Sequence, residues 1–370
     1  MEYEYDNNEY LKEEGIDISK VKKMTRELID KINEVNYCHG LEDINLTNID
    51  FSDLTLKDMS FITFDTRTKW PSKDKLPVGY NPKELLENRK GLSLGLQTLK
   101  KEGIDGSGVK VVYIDCEGKD IFEHEEFKHL KYNYHDFVNC GDEAYHPFGV
   151  LSNLCGKNTG VAPGIMLDYY TSYGRMDKYN QSKLDVLNDI LKRLEEGERF
   201  DVIGISGNRY QDSKIDGKVV RTKMQDQIDE IIFKIEKYGC TFIDGFVFEN
   251  NFIGCGLNSC NKIDLNDIDY PSWYDVNNGK IGIICKGQVI ARWQSINEYS
   301  YQGVNCDSWP IAQLVGVFAL CRQVNKNMTY SHFVEAIYET SFSNEKGCKI
   351  IDLKALIKNL KKESIKKTHR

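Results

Sequence analysis

The chain reads as an α/β protein with a mostly parallel sheet, and three observations predict this. Short, nearly continuous apolar runs, Val109–Asp115 (VKVVYID) and Val202–Ser206 (VIGIS), have the form of strands buried on both faces. Between such runs lie longer stretches with apolar residues at helical spacing, as in Leu184–Glu196 and Met224–Tyr238. The two patterns alternate from about residue 93 onward, which is the arrangement of a parallel sheet covered by helices.

The elements follow in order. Lys20–Val35 carries Val21, Met24, Leu28, Ile29 and Ile32 on one face and predicts an amphipathic helix. Residues 44–64 (INLTNIDFSDLTLKDMSFITF) place apolar side chains every five positions, at Ile44, Ile49, Leu54, Met59 and Phe64 and again at Leu46, Phe51, Leu56 and Phe61. That period resembles the pentapeptide repeat, a small four-sided β-solenoid. Two or three alternating strands fit much of the same run, and four units are few for an independent coil. Residues 65–92 hold three of the seven prolines and read as an extended linker. The linker ends in a helix start, with Asn81 as N-cap and Pro82 in the first turn. Ser93–Glu102 is expected to be helical, then Val109–Asp115 a strand. Ile165–Tyr170, Val202–Ser206, Cys240–Val247 and Lys280–Cys285 are further expected strands. Leu184–Glu196, Met224–Tyr238, Ile311–Val324, His332–Thr340 and Leu353–Lys362 are expected helices. The expected organisation is an N-terminal module over 1–64, a linker over 65–92, a main domain over 93–362 and a basic tail over 363–370.

Composition narrows the function classes. The 370 residues include 49 basic and 57 acidic ones, a formal charge of −8, so no basic excess is available for nucleic acid. The 21 Tyr, 16 Phe and 4 Trp argue against a disordered chain. No run approaches the roughly 18 apolar residues of a membrane span, so no membrane partner is expected. The opening MEYEYDNNEY has neither a basic n-region nor an apolar h-region, so a cytoplasmic location is expected. The 11 cysteines are odd in number and scattered, and read as reduced thiols rather than a disulfide framework. Cys240, Cys255 and Cys260 lack the tight spacing and fourth ligand of a zinc site. The seven basic residues between 352 and 370 suit a helix end better than a nucleic-acid tail.

Three segments carry candidate chemistry. Asp115 ends the first strand of the main domain, within GSGVKVVYIDCEG (106–118), where ligands bind in parallel sheets. An Asp there also suits a turn. His146 opens an apolar helical run in HPFGVLSNLCGKNTGVAPGIMLDYY (146–170), followed by a Gly-rich loop. A helix N-terminus disfavours imidazolium, and a buried carboxylate nearby would offset that. Ser308 starts an apolar helix in GVNCDSWPIAQLVGVFAL (303–320), where a Ser is an N-cap or a nucleophile beside backbone N–H donors.

Together these segments resemble the subtilisin-like serine peptidases. IDCEG stands at the family's aspartate motif, HPFGVLSNLCGKNTGVAPG at its histidine motif with GVAP (160–163) intact, and SWPIAQLVGVFAL at its serine motif. The order Asp, His, Ser is that of subtilisin. The chain looks closest to intracellular members from spore-forming Gram-positive bacteria, which share a segment like FDTRTKWP (64–71) and Ser-Trp at the nucleophile. Anchoring on Pro310 would make Cys306 the nucleophile; anchoring on Gly316 and Ala319-Leu320 needs no gap and selects Ser308.

The resemblance implies a three-layer fold with a mostly parallel sheet of about seven strands. It implies a catalytic triad of Asp115, His146 and Ser308, and a substrate edge at Ser206 and Gly207 that pairs with extended peptide. It also implies an oxyanion amide at Asn250 or Asn251, with Asn250 favoured. The expected activity is serine endopeptidase, acting on peptide or protein. No cofactor or metal is expected; Ca²⁺ is common in the family, but no loop here forces a site. Pro147, Phe148, Cys306 and Asp307 depart from the family motifs. They leave room for a weak or inactive homologue that binds peptide in a regulatory role. Cys116 and Cys306 beside the triad read as small buried thiols or as a redox switch.

Overall fold

The structure is a computed structural model and describes residues 6–36, 38–91, 96–137, 145–172, 178–215, 218–261, 263–270, 279–304 and 306–368. The expected helix start at 93–95 lies outside them, as do Met1–Tyr5, Cys140 and the last two residues of the basic tail.

The central strand, Lys110–Asp115, is the VKVVYID run. Alternation along it sends Val111 and Tyr113 into one core and Val112 and Ile114 into another. Met166–Thr171 and Val202–Ile205 flank it, with Lys131–His135 and Thr241–Ile243 outermost, all parallel. Helices Tyr179–Glu195 and Lys223–Lys237 cover one face. His146–Cys155 and Ser308–Val324 cover the other. This is the expected three-layer α/β architecture. The parallel sheet has five strands among the described residues rather than about seven, because two further parallel strands, Phe252–Leu257 and Ile281–Lys286, belong to a second sheet. The division falls where the expected strand Cys240–Val247 stops at Ile243. Asp244 there accepts a hydrogen bond from the Val247 N–H at 2.9 Å and starts a helix, Gly245–Asn251.

Ser308–Val324 is apolar all round, with Trp309 to Cys321 buried, as expected of a helix with no solvent face. It crosses His146–Cys155 at Gly149. A Cβ there would lie 1.9 Å from the Trp309 ring, so glycine is what allows the two helices this approach.

The N-terminal region departs from expectation. Residues 44–63 hold no strand. Asn45 and Asp50, five residues apart, each make an isolated bridge, and Leu56–Met59 is a short helix. The five-residue period is nonetheless expressed in burial, since Ile44, Leu46, Ile49, Phe51 and Met59 are all enclosed. The amphipathic helix is Arg26–Val35, capped by Thr25. The expected linker over 65–92 is not free in its described part, 65–91. Trp70 packs against Phe51, Phe64 and Tyr80, with centroids 5.1 to 5.5 Å apart. Pro82–Asn88 is the expected helix, capped by Asn81. The basic tail continues the last helix, Leu353–Thr368, rather than departing from it at 363.

What joins this region to the rest is the FDTRTKWP segment. Phe64–Asp65 pairs antiparallel with Tyr299–Gln302, which pairs in turn with Gln288–Ala291. Asp65 is fully enclosed. It accepts from the N–H groups of Asp43, Arg67 and Thr68 and binds the Arg292 guanidinium. Arg67 bonds Glu298 at 2.6 Å. Val289, Tyr299 and Tyr301 of the main domain share one core with Leu46, Phe51 and Phe64. Gly303, five residues before Ser308, lies against the Phe61–Ile62 backbone, where a Cβ would come within 2.5 Å.

Asp65→Ala would leave the buried Arg292 charge only its longer contacts to Asp43 and Glu298, at 3.8 and 4.0 Å, at a cost of up to about 3–5 kcal/mol. Urea denaturation should show that loss, with Asp65→Asn intermediate. A chain starting at Lys83 uncovers the shared core and should fail to give a cooperative unfolding transition.

Candidate active site

Three elements bring three side chains to the carboxyl edge of the sheet. Asp115 is the last residue of the central strand, with its side chain 2% exposed. His146 is the first residue of its helix and Ser308 the first of the central helix. His146 Nδ1 lies 2.7 Å from Asp115 Oδ1, and His146 Nε2 lies 2.9 Å from Ser308 Oγ. The network assigns the tautomer: Nδ1–H donates to the carboxylate, and Nε2 is left to accept from the serine hydroxyl. The Cys116 N–H donates to the same Asp115 oxygen at 2.7 Å. Asp115 Oδ2 is buried and has no hydrogen-bond partner among the described residues. An unmet buried acceptor of this kind costs about 1–3 kcal/mol.

The imidazole sits in opposing fields. Burial alone would lower its pKa. The charge and hydrogen bond of Asp115 outweigh burial, helped by Cys306, and hold the group well above its usual range near 6.5. The Trp309 ring covers the imidazole at 5.7 Å between centroids. Cys306 thus reaches the same imidazole as Ser308, and the two alternative nucleophiles read from the sequence face one base.

A cleft of about 420 Å³ opens beside the triad, lined by Asp115, Cys116, His146, Ser206, Gly207 and Tyr179. Ser206 follows the Val202–Ile205 strand. Its hydroxyl bonds the Tyr113 hydroxyl and donates to the Ser308 carbonyl at 3.4 Å. The Gly207 carbonyl accepts from the Gly245 N–H at 2.7 Å. Both residues expected at the substrate edge therefore lie on the cleft. On the far side of His146 is a smaller apolar pocket, lined by Cys38 and His39 of the N-terminal region together with Tyr145, Trp293 and Trp309.

Asn250 is not brought to the site. The chain leaves the sheet at Asp244, and Asn250 lies exposed at the end of the following helix. Asn251 donates to the Tyr330 hydroxyl, also away from the triad. At the strand end stands Asp244, fully buried and bound by Arg209 at 2.7 Å. The departures in the histidine motif are core residues: Phe148 packs in the main core, and Pro147 packs against Gly118. Asp307 is exposed at the N-terminal end of the serine helix. Cys240, Cys255 and Cys260 fall in three separate cores. Tyr179 and Tyr113 also belong to the site; they carry no sequence motif and reach it only through sheet register and the helix behind it.

Scanned against protein-family models, the sequence matches none, and no curated protein matches it either. Solved structures do. Fervidolysin from Fervidobacterium pennivorans, a keratinolytic enzyme related to subtilisin, superposes with a TM-score of 0.51 at 11% identity, over 78% of this chain and 48% of that one. A chain of the subtilase cytotoxin SubAB assembly gives 0.50 at 13% identity, over 73% and 95%. The fold is subtilisin-like. At these identities the likeness is one of fold, and the site rests on its own geometry. Among the described residues, no helix is long and apolar enough to cross a membrane.

The sign of the imidazole shift fixes a pH dependence. Ser308 can give up its proton only when His146 is neutral, so reaction with a fluorophosphonate should rise with pH. Its midpoint should lie above about 6.5, the ordinary histidine value. Asp115→Asn removes the charge that does most to raise the pKa and leaves burial, which lowers it, opposed only by Cys306. The midpoint should fall, and the plateau rate should drop by roughly 10⁴.

Proposed function

We propose that the chain is a serine endopeptidase, and the observation that carries this reading is the continuous relay Asp115–His146–Ser308. Ser308 Oγ attacks the carbonyl carbon of an extended peptide lying along Ser206 and Gly207. Its proton passes to His146 Nε2, and Asp115 stabilises the imidazolium. The carbonyl becomes an oxyanion beside the Ser308 N–H, which opens a helix and has no intrahelical acceptor. Collapse of the intermediate breaks the C–N bond, and His146 returns the proton to the departing amine. Water then repeats the sequence on the acyl-enzyme, and Ser308 regains its proton. No step needs a cofactor.

The second reading, a catalytically weak peptide-binding homologue, is favoured by one observation. The strand end that leads out of the sheet carries Asp244 paired with Arg209, and Asn250 is remote. Loss of one oxyanion donor costs roughly 10²–10³ in rate. A slow, selective enzyme reconciles both observations. It also suits a cytoplasmic location, where a peptidase must spare its neighbours. Peptide or protein is the expected partner, with no role for nucleic acid or membrane.

Intact-mass analysis after fluorophosphonate treatment tests the reading. The native chain should gain one adduct, mapped to Ser308, and Ser308→Ala should gain none. Hydrolysis of a peptide library should fall by at least ~10³-fold in Ser308→Ala. Labelling that survives Ser308→Ala would overturn the assignment. Labelling without hydrolysis would favour the peptide-binding homologue.

A further inference from the structure

The cleft holds one donor that peptide hydrolysis does not use, the Cys116 thiol beside Asp115 and His146. A carboxylate oxygen of Asp115, the Cys116 thiol and an imidazole nitrogen of His146 all lie within 4.8 Å of one another. Among the described residues this is the single group of three such donors. Asp115 is nearly enclosed, and its Oδ2 has no described hydrogen-bond partner. Cys116 and His146 both line the cleft, so an ion can enter from the substrate side. The Cys116 carbonyl is fixed by the Tyr169 hydroxyl at 2.6 Å, which anchors the backbone that carries the thiol.

We propose that Asp115, Cys116 and His146 form an inhibitory site for a zinc-type divalent cation. Cys, His and Asp are all zinc ligand types, and three protein donors with a fourth position open to the cleft match the count of an open zinc site. Tetrahedral bonds of about 2.0–2.3 Å place donors about 3.3–3.5 Å apart, so side-chain adjustments of about 1 Å close the present group around an ion. The thiolate selects against Mg²⁺ and Ca²⁺, which prefer all-oxygen sites. Binding releases the thiol proton and engages the His146 and Asp115 groups that catalysis requires. The ion and the relay therefore exclude each other, and the ion acts as a brake rather than a cofactor. The site stands on its donors alone; only the inhibition rests on the peptidase reading.

Cobalt is the probe, added to the reduced full-length protein. One Co²⁺ per chain should give a thiolate-to-metal charge-transfer band that is absent from Cys116→Ser and Cys116→Ala and retained in Cys306→Ser. Zn²⁺ should displace Co²⁺ stoichiometrically. Thermal unfolding checks that the variants fold, and His146→Ala should lose tight binding independently of any change at Cys116. Zn²⁺ should also block fluorophosphonate labelling, reversibly with a chelator, and only at higher Zn²⁺ concentration in Cys116→Ser, which lacks one of the three donors. No band, or a band that persists without Cys116, overturns the metal site. A band with full labelling in saturating Zn²⁺ overturns the inhibition. Failure of chelated, metal-free protein to label would instead count against the peptidase reading and leave the band to report the site.

Discussion

The hydrogen bond between Asp115 and His146 is the interaction on which the rest of the site depends. A carboxylate enclosed at the end of a central strand is costly unless hydrogen bonds and an opposite charge compensate it. Two donors meet Oδ1, the Cys116 N–H and the imidazole Nδ1–H. The second fixes the ring so that Nε2 faces Ser308, and it raises the basicity that proton transfer needs. Each other part of the site can be traced to this demand. The parallel sheet delivers Asp115 to its carboxyl edge, the Gly149 contact lets the histidine and serine helices approach, and Trp309 covers the ring.

The N-terminal region belongs to the same construction. Its core is continuous with residues of the main domain, and Asp65 binds Arg292 across the junction. Gly303 is pressed against the Phe61–Ile62 backbone just ahead of the serine helix. Cys38 donates to the Tyr145 hydroxyl at 3.4 Å, one residue before His146. The region therefore packs against the segments that lead into His146 and Ser308. This physical role explains the FDTRTKWP segment, in which an aspartate, an arginine and a tryptophan each make a contact that a linker would not need.

Much of this was legible in the sequence because the signals were local. VKVVYID is a buried strand whatever follows it, and the helices that begin at His146 and Ser308 are mostly apolar. Asp115, His146 and Ser308 then met where parallel strands end. Errors arose where local pattern met a competing signal. CTFIDGFV has the pattern of one strand through Val247, but Asp244 is an N-cap, so Asn250 lies on a helix and not at the sheet edge. The five-residue period was real, yet turns and bridges satisfy it as well as strands do. The linker reading followed from proline and charge. The burial of Trp70 and Tyr80 depends on residues far away in sequence, which no local rule registers.

Proton NMR of the imidazole tests the relay most directly. A hydrogen bond at 2.7 Å to a buried carboxylate should give His146 Nδ1–H a far-downfield resonance in slow exchange with water. The account predicts that this signal is present in the full chain, titrates with a midpoint above the ordinary histidine value, and vanishes in Asp115→Asn. Absence of the signal at every pH, or its persistence without the Asp115 carboxylate, would contradict it.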